Sequence, residues 1–260
     1  MQVKDIVRAL EKFAPLPLQD SYDNSGLQIG LTTAEVSGAL LCLDVTEDVI
    51  EDAASEGCNL IVSHHPLLFK GCKRITEESY VSRCVMSAIR HGIAIYSAHT
   101  SLDNAYKGVT YRMASLLGLE HLQPLLPSPL QGGAGSGLIG DLPEAMSVNT
   151  FLHLIKNTFN AACVRYNAYK GLVVKRIALC GGAGAFLIPD ALRAGADAFY
   201  TGEIKYHDFF GLERQMLLVD TGHYESEQFT IGLLEDILHK AYPELPLVRT
   251  KINTNPIKYM

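Results

Sequence analysis

The sequence has no apolar run that approaches the roughly 18 residues needed for a membrane-spanning helix. Residues 1–13 also lack the continuous apolar core of a signal peptide, because Lys4, Asp5 and Arg8 interrupt the apolar positions. The spacing of those apolar positions predicts an amphipathic helix. We therefore expect no membrane span and no signal peptide.

Charged residues are scarce, at 19% of 260 residues, which is too few for a disordered acidic or basic protein. The formal net charge of −6 argues against a protein whose main role is to coat nucleic acid. Apolar residues make up 48%, so a sizeable core can form, and the length accommodates two domains of ordinary size.

The six cysteines form no C-x-x-C pair and lie mostly within apolar stretches, at positions 42, 58, 72, 84, 163 and 180. Buried reduced thiols are the favoured interpretation of this pattern. Because thiols stay reduced in the cytoplasm, that compartment is the expected location.

Beyond residue 38, short apolar strands alternate with helices. Strands are predicted at 39–43, 60–62, 93–96, 163–166, 176–179, 198–200 and 216–219. Helices are predicted at 3–13, 78–90, 106–117, 147–158, 186–194, 207–214 and 226–240, with another between Thr46 and Gly57. Extended residues return near 247–252. This alternation predicts an α/β fold with open, mainly parallel sheets and helices on their faces.

Residues 124–137 (PLLPSPLQGGAGSG) are dense in proline, glycine and serine. This composition is typical of a hinge or linker, and it marks the predicted domain boundary. We expect a first α/β domain at 1–125, completed by the C-terminal segment 226–260, and a second α/β domain at 126–225.

The two halves share a sequence pattern. Leu41 matches Leu179 at an offset of 138 residues (179 − 41), and Gly57 matches Gly195 at the same offset. A shorter offset pairs IAIYSAHTSLD with MLLVDTGHYESE, each an apolar strand followed by a histidine and then an acid four residues later. The pattern predicts an internal duplication.

Polar side chains follow three of the predicted strands, at the point where each strand ends. His64 and His65 follow one strand, Asp103 follows the next, and His223 and Glu227 follow a strand of the second half. Ligands of open α/β sheets bind at the carboxyl ends of the strands. Two halves that face each other would bring these five residues, the predicted ligand set, together.

Three imidazoles and two carboxylates suit a divalent cation such as zinc, iron, manganese or nickel. Five groups are too many for one catalytic zinc, and they suit a pair of ions about 3.5–4 Å apart. Adjacent histidines diverge in extended backbone, which Pro66 favours at His65, and so can reach two ions. His-His-Pro alone is more often a loop feature and H-x-x-x-E alone is a weak signal, but their joint placement at strand ends favours a metal pair.

Other candidates have competing interpretations. His99 is a candidate metal ligand and a candidate acid or base, with a structural role beside the ligands as the alternative. Lys205 is a candidate phosphate ligand and His207 a candidate proton shuttle, with an exposed helix start as the alternative. The turn at 181–184 (GGAG) resembles a phosphate-binding turn, although tight packing explains its glycines equally well.

The segments YDNSGLQIG, SHHPLLF, AHTSLD, GEIKYHD and GHYESE, in this order, resemble the NIF-three-like family of dinuclear metal-binding proteins, often named GTP cyclohydrolase 1 type 2. The one visible departure is Tyr22, where the family commonly has tryptophan. The resemblance implies two similar three-layer α/β domains with a dinuclear metal site in the cleft between them. It also implies that the predicted ligand set holds two divalent ions, with Glu227 bridging, and that the protein forms toroidal hexamers.

The leading hypothesis is therefore a metal-dependent hydrolase of a nucleotide or related small molecule, and the family name implies opening of the guanine ring of GTP. The alternative is a non-enzymatic metal-binding or adaptor protein, or a metal chaperone, that forms a ring-shaped oligomer. Nucleic acid is not the expected partner of so acidic a chain, and no membrane partner is expected.

Overall fold

The computed structural model describes all 260 residues and contains two β-sheets flanked by helices. The strands are β1 Gly26–Ile29, β2 Ala39–Cys42, β3 Leu60–Ser63, β4 Ala94–Ser97, β5 Glu120–Pro127, β6 Gly135–Ser147, β7 Arg165–Tyr166, β8 Val173–Leu179, β9 Ala198–Thr201, β10 Leu217–Asp220 and β11 Leu247–Arg249. The helices are α1 Val3–Phe13, α2 Glu47–Ser55, α3 Tyr80–Arg90, α4 Thr100–Asp103, α5 Val109–Leu116, α6 Val148–Thr158, α7 Ile188–Arg193, α8 His223–Glu227 and α9 Thr230–Ala241. None of the helices is both long enough and apolar enough to cross a lipid bilayer.

The chain divides into two compact units. The first comprises Met1–Leu102 and Thr230–Pro256, and the second comprises Asp103–Phe229 and Ile257–Met260. The domain ranges given above stay a prediction, because compactness alone does not show that a unit folds independently.

The first unit is built on a five-stranded sheet with the order β1-β4-β3-β2-β11. Strands β2, β3, β4 and β11 are parallel, and β1 pairs antiparallel with β4 at one edge. Alternate residues of the central strands, such as Leu40 and Ile61, pack with α2 and α3 on one face. Helix α9 contacts β2, and α1 packs on α9. The local signals agree with this arrangement: Thr46 accepts a hydrogen bond from the backbone N–H of Val49 (3.3 Å) and so caps α2, as predicted.

The second unit is built on a six-stranded sheet with the order β5-β6-β8-β9-β10-β7. Strands β8, β9 and β10 are parallel, and the other three pair antiparallel. Residues of one face, such as Ile177 and Tyr200, form a core with α5 and α6. Their sequence neighbours Ala178 and Phe199 form a second core with α7 on the opposite face. The expected three-layer α/β architecture is therefore present in both units.

The strand register confirms the duplicated pattern. Leu41 lies opposite Val62 in the first sheet, and Leu179 lies opposite Tyr200 in the second. Both residues of the second pair follow those of the first by 138 positions (179 − 41 and 200 − 62). In each sheet a short antiparallel strand also pairs with the last of the parallel strands, β1 with β4 and β7 with β10.

Three local predictions are wrong. The segment predicted as a linker, 124–137, belongs to the antiparallel pair β5–β6 and the turn between its strands. The helix predicted at 207–214 is only a 3₁₀ turn, Tyr206–Phe209. The helix predicted at 226–240 is divided into α8 and α9 by a turn at residues 228 and 229. In each case long-range packing overrides local composition.

Candidate metal centre

Two adjacent histidines follow strand β3 in the first unit. The backbone N–H groups of His64 and His65 donate to the carbonyls of Cys42 (3.2 Å) and Leu43 (2.9 Å), so both residues still pair with the neighbouring strand. The Ser63 hydroxyl donates to the His65 carbonyl at 2.8 Å. His64 is fully buried, whereas the His65 side chain is 19% exposed. The sheet itself therefore holds the two imidazoles in place.

The hydrogen bond behind His64 identifies its tautomer. Its Nδ1 lies 2.9 Å from the backbone carbonyl of Ala98, which can only accept. The proton of the neutral ring is therefore on Nδ1, and the lone pair that can bind a metal is on Nε2.

A carboxylate holds His65 in the same way. Its Nδ1 lies 2.7 Å from Oδ1 of Asp44, whose Oδ2 accepts from the Thr254 hydroxyl at 2.6 Å. Burial raises the pKa of Asp44, but the hydrogen bonds from His65 and Thr254 outweigh burial and lower it. Asp44 is therefore an ionised acceptor that increases the basicity of the imidazole.

His99 completes a group of three imidazoles in the first unit. One ring nitrogen from each of His64, His65 and His99 lies within 4.8 Å of the others. The Nδ1 atom of His99 lies 2.7 Å from Oδ1 of Asp23, whose side chain is fully buried. The structure thus places His99, a sequence candidate for acid–base work, beside both histidines of the predicted ligand set. We call these three residues the histidine group.

In the second unit, helix α8 carries a histidine and a carboxylate of the predicted ligand set. His223 and Glu227 are one helical turn apart, and Nε2 of His223 lies 3.1 Å from Oε2 of Glu227. Behind the ring, Nδ1 of His223 lies 3.0 Å from Oε1 of Glu203. The Glu227 side chain is only 4% exposed. Nε2 of His223 and Oε2 of Glu227 therefore converge. The contact with Glu203 orients the His223 imidazole as the contact with Asp44 orients that of His65.

The glycine turn at 181–184 provides space for Glu227. A Cβ atom at Gly182 would lie 2.4 Å from Oε1 of Glu227, and the backbone there has φ +56°. The backbone N–H of Gly182 donates to the Ser226 hydroxyl at 3.0 Å, so the turn also bonds directly to α8. Close packing against α8 accounts for this glycine, which favours the packing interpretation of the turn over phosphate binding.

A buried carboxylate joins the two loops that carry Glu203 and His223. Asp220 accepts from the backbone N–H groups of Ile204 (2.7 Å) and Gly222 (3.0 Å), and it pairs with Arg165. Asp23, Asp44 and Asp220 are all absent from the candidates predicted from the sequence. Asp44 and Asp220 each occupy or follow the carboxyl end of a strand, which is the signal that could have identified them.

The three remaining candidates from the sequence are Asp103, Lys205 and His207. Asp103 is half-buried at the end of α4, and its carbonyl accepts from the Thr110 hydroxyl at 3.3 Å. Lys205 and His207 are both exposed, at and within the 3₁₀ turn Tyr206–Phe209. The His207 ring contacts Tyr206, with ring centroids 5.2 Å apart. Both residues are therefore exposed, as the alternative interpretation predicted, although they lie at a 3₁₀ turn and not at the start of a helix.

The donor chemistry fits divalent cations. Four imidazoles each have an acceptor behind Nδ1: the Ala98 carbonyl and the carboxylates of Asp44, Asp23 and Glu203. Metal-ligating histidines almost always have such a partner, which sets the tautomer and the orientation of the ring. All four histidines follow the carboxyl ends of parallel strands, β3, β4 and β10, where ligands of open α/β sheets bind.

Comparison with known proteins agrees with this arrangement. The model of the Duf34/NIF3 (NGG1p interacting factor 3) family matches residues 1–256. The chain belongs to the Duf34/NIF3 family. A Clostridium perfringens relative named GTP cyclohydrolase 1 type 2 homolog is 32% identical over 262 residues, with 100% of both chains covered. A Campylobacter jejuni protein of the same name is 30% identical over 261 residues, also with full coverage.

Solved structures of Duf34/NIF3 relatives share the fold of the whole chain. The Staphylococcus aureus hypothetical protein SA1388 superposes with a TM-score of 0.91 and 28% identity, covering 100% of this chain and 99% of the other. A Bacillus cereus protein related to NIF3 has a TM-score of 0.90 at 22% identity, covering 100% of this chain and 99% of that one, which supports the fold alone. The resemblance found in the sequence motifs is thus confirmed, and so is the α/β fold.

Proposed function

We propose that this Duf34/NIF3 protein binds two divalent metal ions through His64, His65, Asp103, His223 and Glu227 and hydrolyses a nucleotide or related small molecule. The observation that supports it most is the acceptor behind Nδ1 of each histidine. Imidazoles that merely fill a core need no such uniform orientation. The proposed cations are zinc, iron, manganese or nickel, which accept mixed imidazole and carboxylate donors.

Bound divalent ions lower the pKa of coordinated water towards neutrality and orient polar substrates, which is the chemistry that hydrolysis requires. The chain would supply the remaining functions. His99, held by Asp23, is the proposed acid or base, because its ring adjoins His64 and His65. The exposure of His207 and Lys205 makes them weaker candidates for proton transfer and phosphate binding.

The names of two relatives support a nucleotide as the substrate class. The Clostridium perfringens and Campylobacter jejuni relatives are named as GTP cyclohydrolase 1 type 2 homologs, so GTP is the first nucleotide to test. We also propose a toroidal hexamer, supported by the family resemblance, and a cytoplasmic location, supported by six free cysteines. Light scattering of the purified protein tests the assembly.

Turnover tests the hydrolase proposal. Metal-loaded protein should convert GTP or another member of a nucleotide panel, and His64→Ala and Glu227→Ala should each abolish that conversion. His239→Ala, which removes an exposed histidine on α9, serves as the matched control and should keep full activity. Metal binding without turnover of any nucleotide would instead support the metal-binding or metal-chaperone alternative.

A further inference from the structure

The densest cationic segment of the sequence lies shortly after the adjacent histidines. Lys70, Lys73 and Arg74 fall within five residues of a chain whose formal net charge is −6. All three residues are exposed, and none forms an ion pair. Glu77 and Glu78, also exposed, follow just before α3. We call Lys70, Lys73 and Arg74 the cationic triad.

The segment that carries the triad is attached to the first unit at both ends. At its start, the backbone of Leu68 accepts from Asn24 Nδ2 (2.7 Å) and donates to Gln28 Oε1 (3.0 Å). At its end, the Arg74 carbonyl accepts from the hydroxyl of Ser82, in the first turn of α3, at 3.4 Å. The positive charges are therefore presented from an anchored loop.

Phe69, which directly precedes Lys70 in the chain, belongs to an aromatic pair beside the histidine group. The Phe69 ring lies 5.9 Å from the His99 ring and 6.2 Å from the Tyr22 ring, measured between centroids. Both contacts are edge-on, and the side chains remain exposed, at 42% for Phe69 and 62% for Tyr22. Exposed aromatic faces provide a platform on which a planar base can stack.

We propose that the cationic triad binds the phosphate groups of a nucleoside polyphosphate whose base stacks on Phe69 and Tyr22. Lysine and arginine are the side chains that bind phosphate oxygens with charge-assisted hydrogen bonds. Because Phe69 contacts His99 and is followed in the chain by Lys70, the base would lie beside the histidines and the phosphate groups further along the segment. The inference rests on the proposed function, since it assigns the substrate contacts of the same site, and it replaces Lys205 as the phosphate ligand.

Equilibrium binding of guanosine, GMP and GTP tests the proposal, first with metal removed by a chelator and then with metal present. Wild-type affinity should increase with the number of phosphates. The triple variant K70A/K73A/R74A should lose about tenfold or more in GTP affinity, keep its guanosine affinity, and show a weaker dependence on salt. Phe69→Leu should weaken all three ligands by a similar factor of about five or more.

A second triple variant provides the matched control. K156A/K175A/K240A removes three exposed lysines and changes the net charge equally, so its GTP affinity should match that of the wild type. Equal losses in both triple variants would show a general charge effect and overturn the proposal. Preferential binding of single-stranded RNA over GTP by the triad would also overturn it.

The outcomes separate this inference from the hydrolase proposal. Triad-dependent GTP binding without turnover would remove the hydrolase and retain the phosphate site. Metal-dependent turnover of a nucleotide with unchanged KM in K70A/K73A/R74A would retain the hydrolase and remove the phosphate site.

Discussion

Single carboxylates orient the imidazoles of the candidate metal centre. Asp44 is the acceptor behind His65, and its charge raises the basicity of the ring. We expect Asp44→Asn, which keeps the shape and removes the charge, to weaken metal affinity by about 10- to 100-fold. Competition titration against a chromogenic chelator measures this change.

Asp52→Asn is the control for Asp44→Asn, because both carboxylates also hold the C-terminal segment. Asp44 accepts from Thr254 and Asp52 accepts from Thr250, each at 2.6 Å, but only Asp44 contacts a histidine. Asp52→Asn should therefore leave metal affinity unchanged. Equal weakening in both variants would trace the effect to the C-terminal segment and not to His65.

Gly182 is the residue at which space and backbone conformation both matter. We expect Gly182→Ala to displace Glu227, since the new Cβ would lie 2.4 Å from its Oε1, and so to reduce metal binding by at least about tenfold. The positive φ of +56° adds about 1 kcal/mol of destabilisation. Isothermal calorimetry with Mn²⁺ or Zn²⁺ checks the binding.

Gly195→Ala separates the two effects of the Gly182 substitution. Gly195 has φ +72°, and a Cβ there meets nothing within 4 Å. The unfolding free energy of the Gly195→Ala variant should fall by about 1 kcal/mol, as in Gly182→Ala, while its metal binding stays at the wild-type level. Unimpaired binding in Gly182→Ala would mean that Glu227 is not a ligand.

At the scale of elements, Asp23 joins the loop before β1 to the segment after β4. Its carboxylate accepts from His99 and from the Ser25 hydroxyl (2.8 Å), and it also pairs with Thr100. Burial raises the pKa of Asp23, but the hydrogen bonds from His99, Thr100 and Ser25 together lower it well below its ordinary value of 3.8. The ionised form is thus a structural tie between two loops.

Asp23→Asn should therefore cost about 2–3 kcal/mol of unfolding free energy at neutral pH. Because the folded pKa is lowered, this stabilisation is present above about pH 4 and disappears as the pH falls through the folded value. Urea unfolding at a series of pH values should show a steeper acid decline for the wild type than for Asp23→Asn. Asp208→Asn, at an exposed carboxylate, should reproduce the wild-type curve.

The elements also show how far sequence patterns could predict the fold. Apolar strands such as β3 and β10 were located within about a residue, because their burial on both faces leaves uninterrupted apolar runs. The hairpin β5–β6 was missed, since β5 is largely exposed and contains Pro124 and Pro127. Its strands exist because they pair with each other and, through β6, with β8. Composition could not reveal those partners.

The candidate site was predictable to a similar degree. His64, His65, His223 and Glu227 follow strand ends, and the parallel topology explains why such positions carry function. The acceptors Asp44, Asp23 and Glu203 were not identified as a set, because each lies more than 19 residues from its histidine in sequence (65 − 44 = 21, 99 − 23 = 76, 223 − 203 = 20). Only the folded sheet brings them together.

At the scale of the whole molecule, the duplicated register means that each unit carries its own donors on corresponding strands. If the donors of both units bind the same ions, removing either set should abolish the stabilisation that metal provides. Metal at about 100 times its Kd should stabilise the wild type by about 2.7 kcal/mol. We expect His64→Ala and Glu227→Ala each to remove most of that gain, and the double variant to remove little more.

Thermal unfolding with and without added Mn²⁺ or Zn²⁺ measures the four corners of this double-mutant cycle. His239→Ala and Glu244→Ala, both exposed, form a control cycle that should keep the full metal-dependent shift. Losses that add, with each single variant retaining about half of the gain, would mean that each unit binds its own ion independently. Such additivity would contradict a shared pair of cations while leaving metal binding intact, because sharing is what makes the two losses overlap.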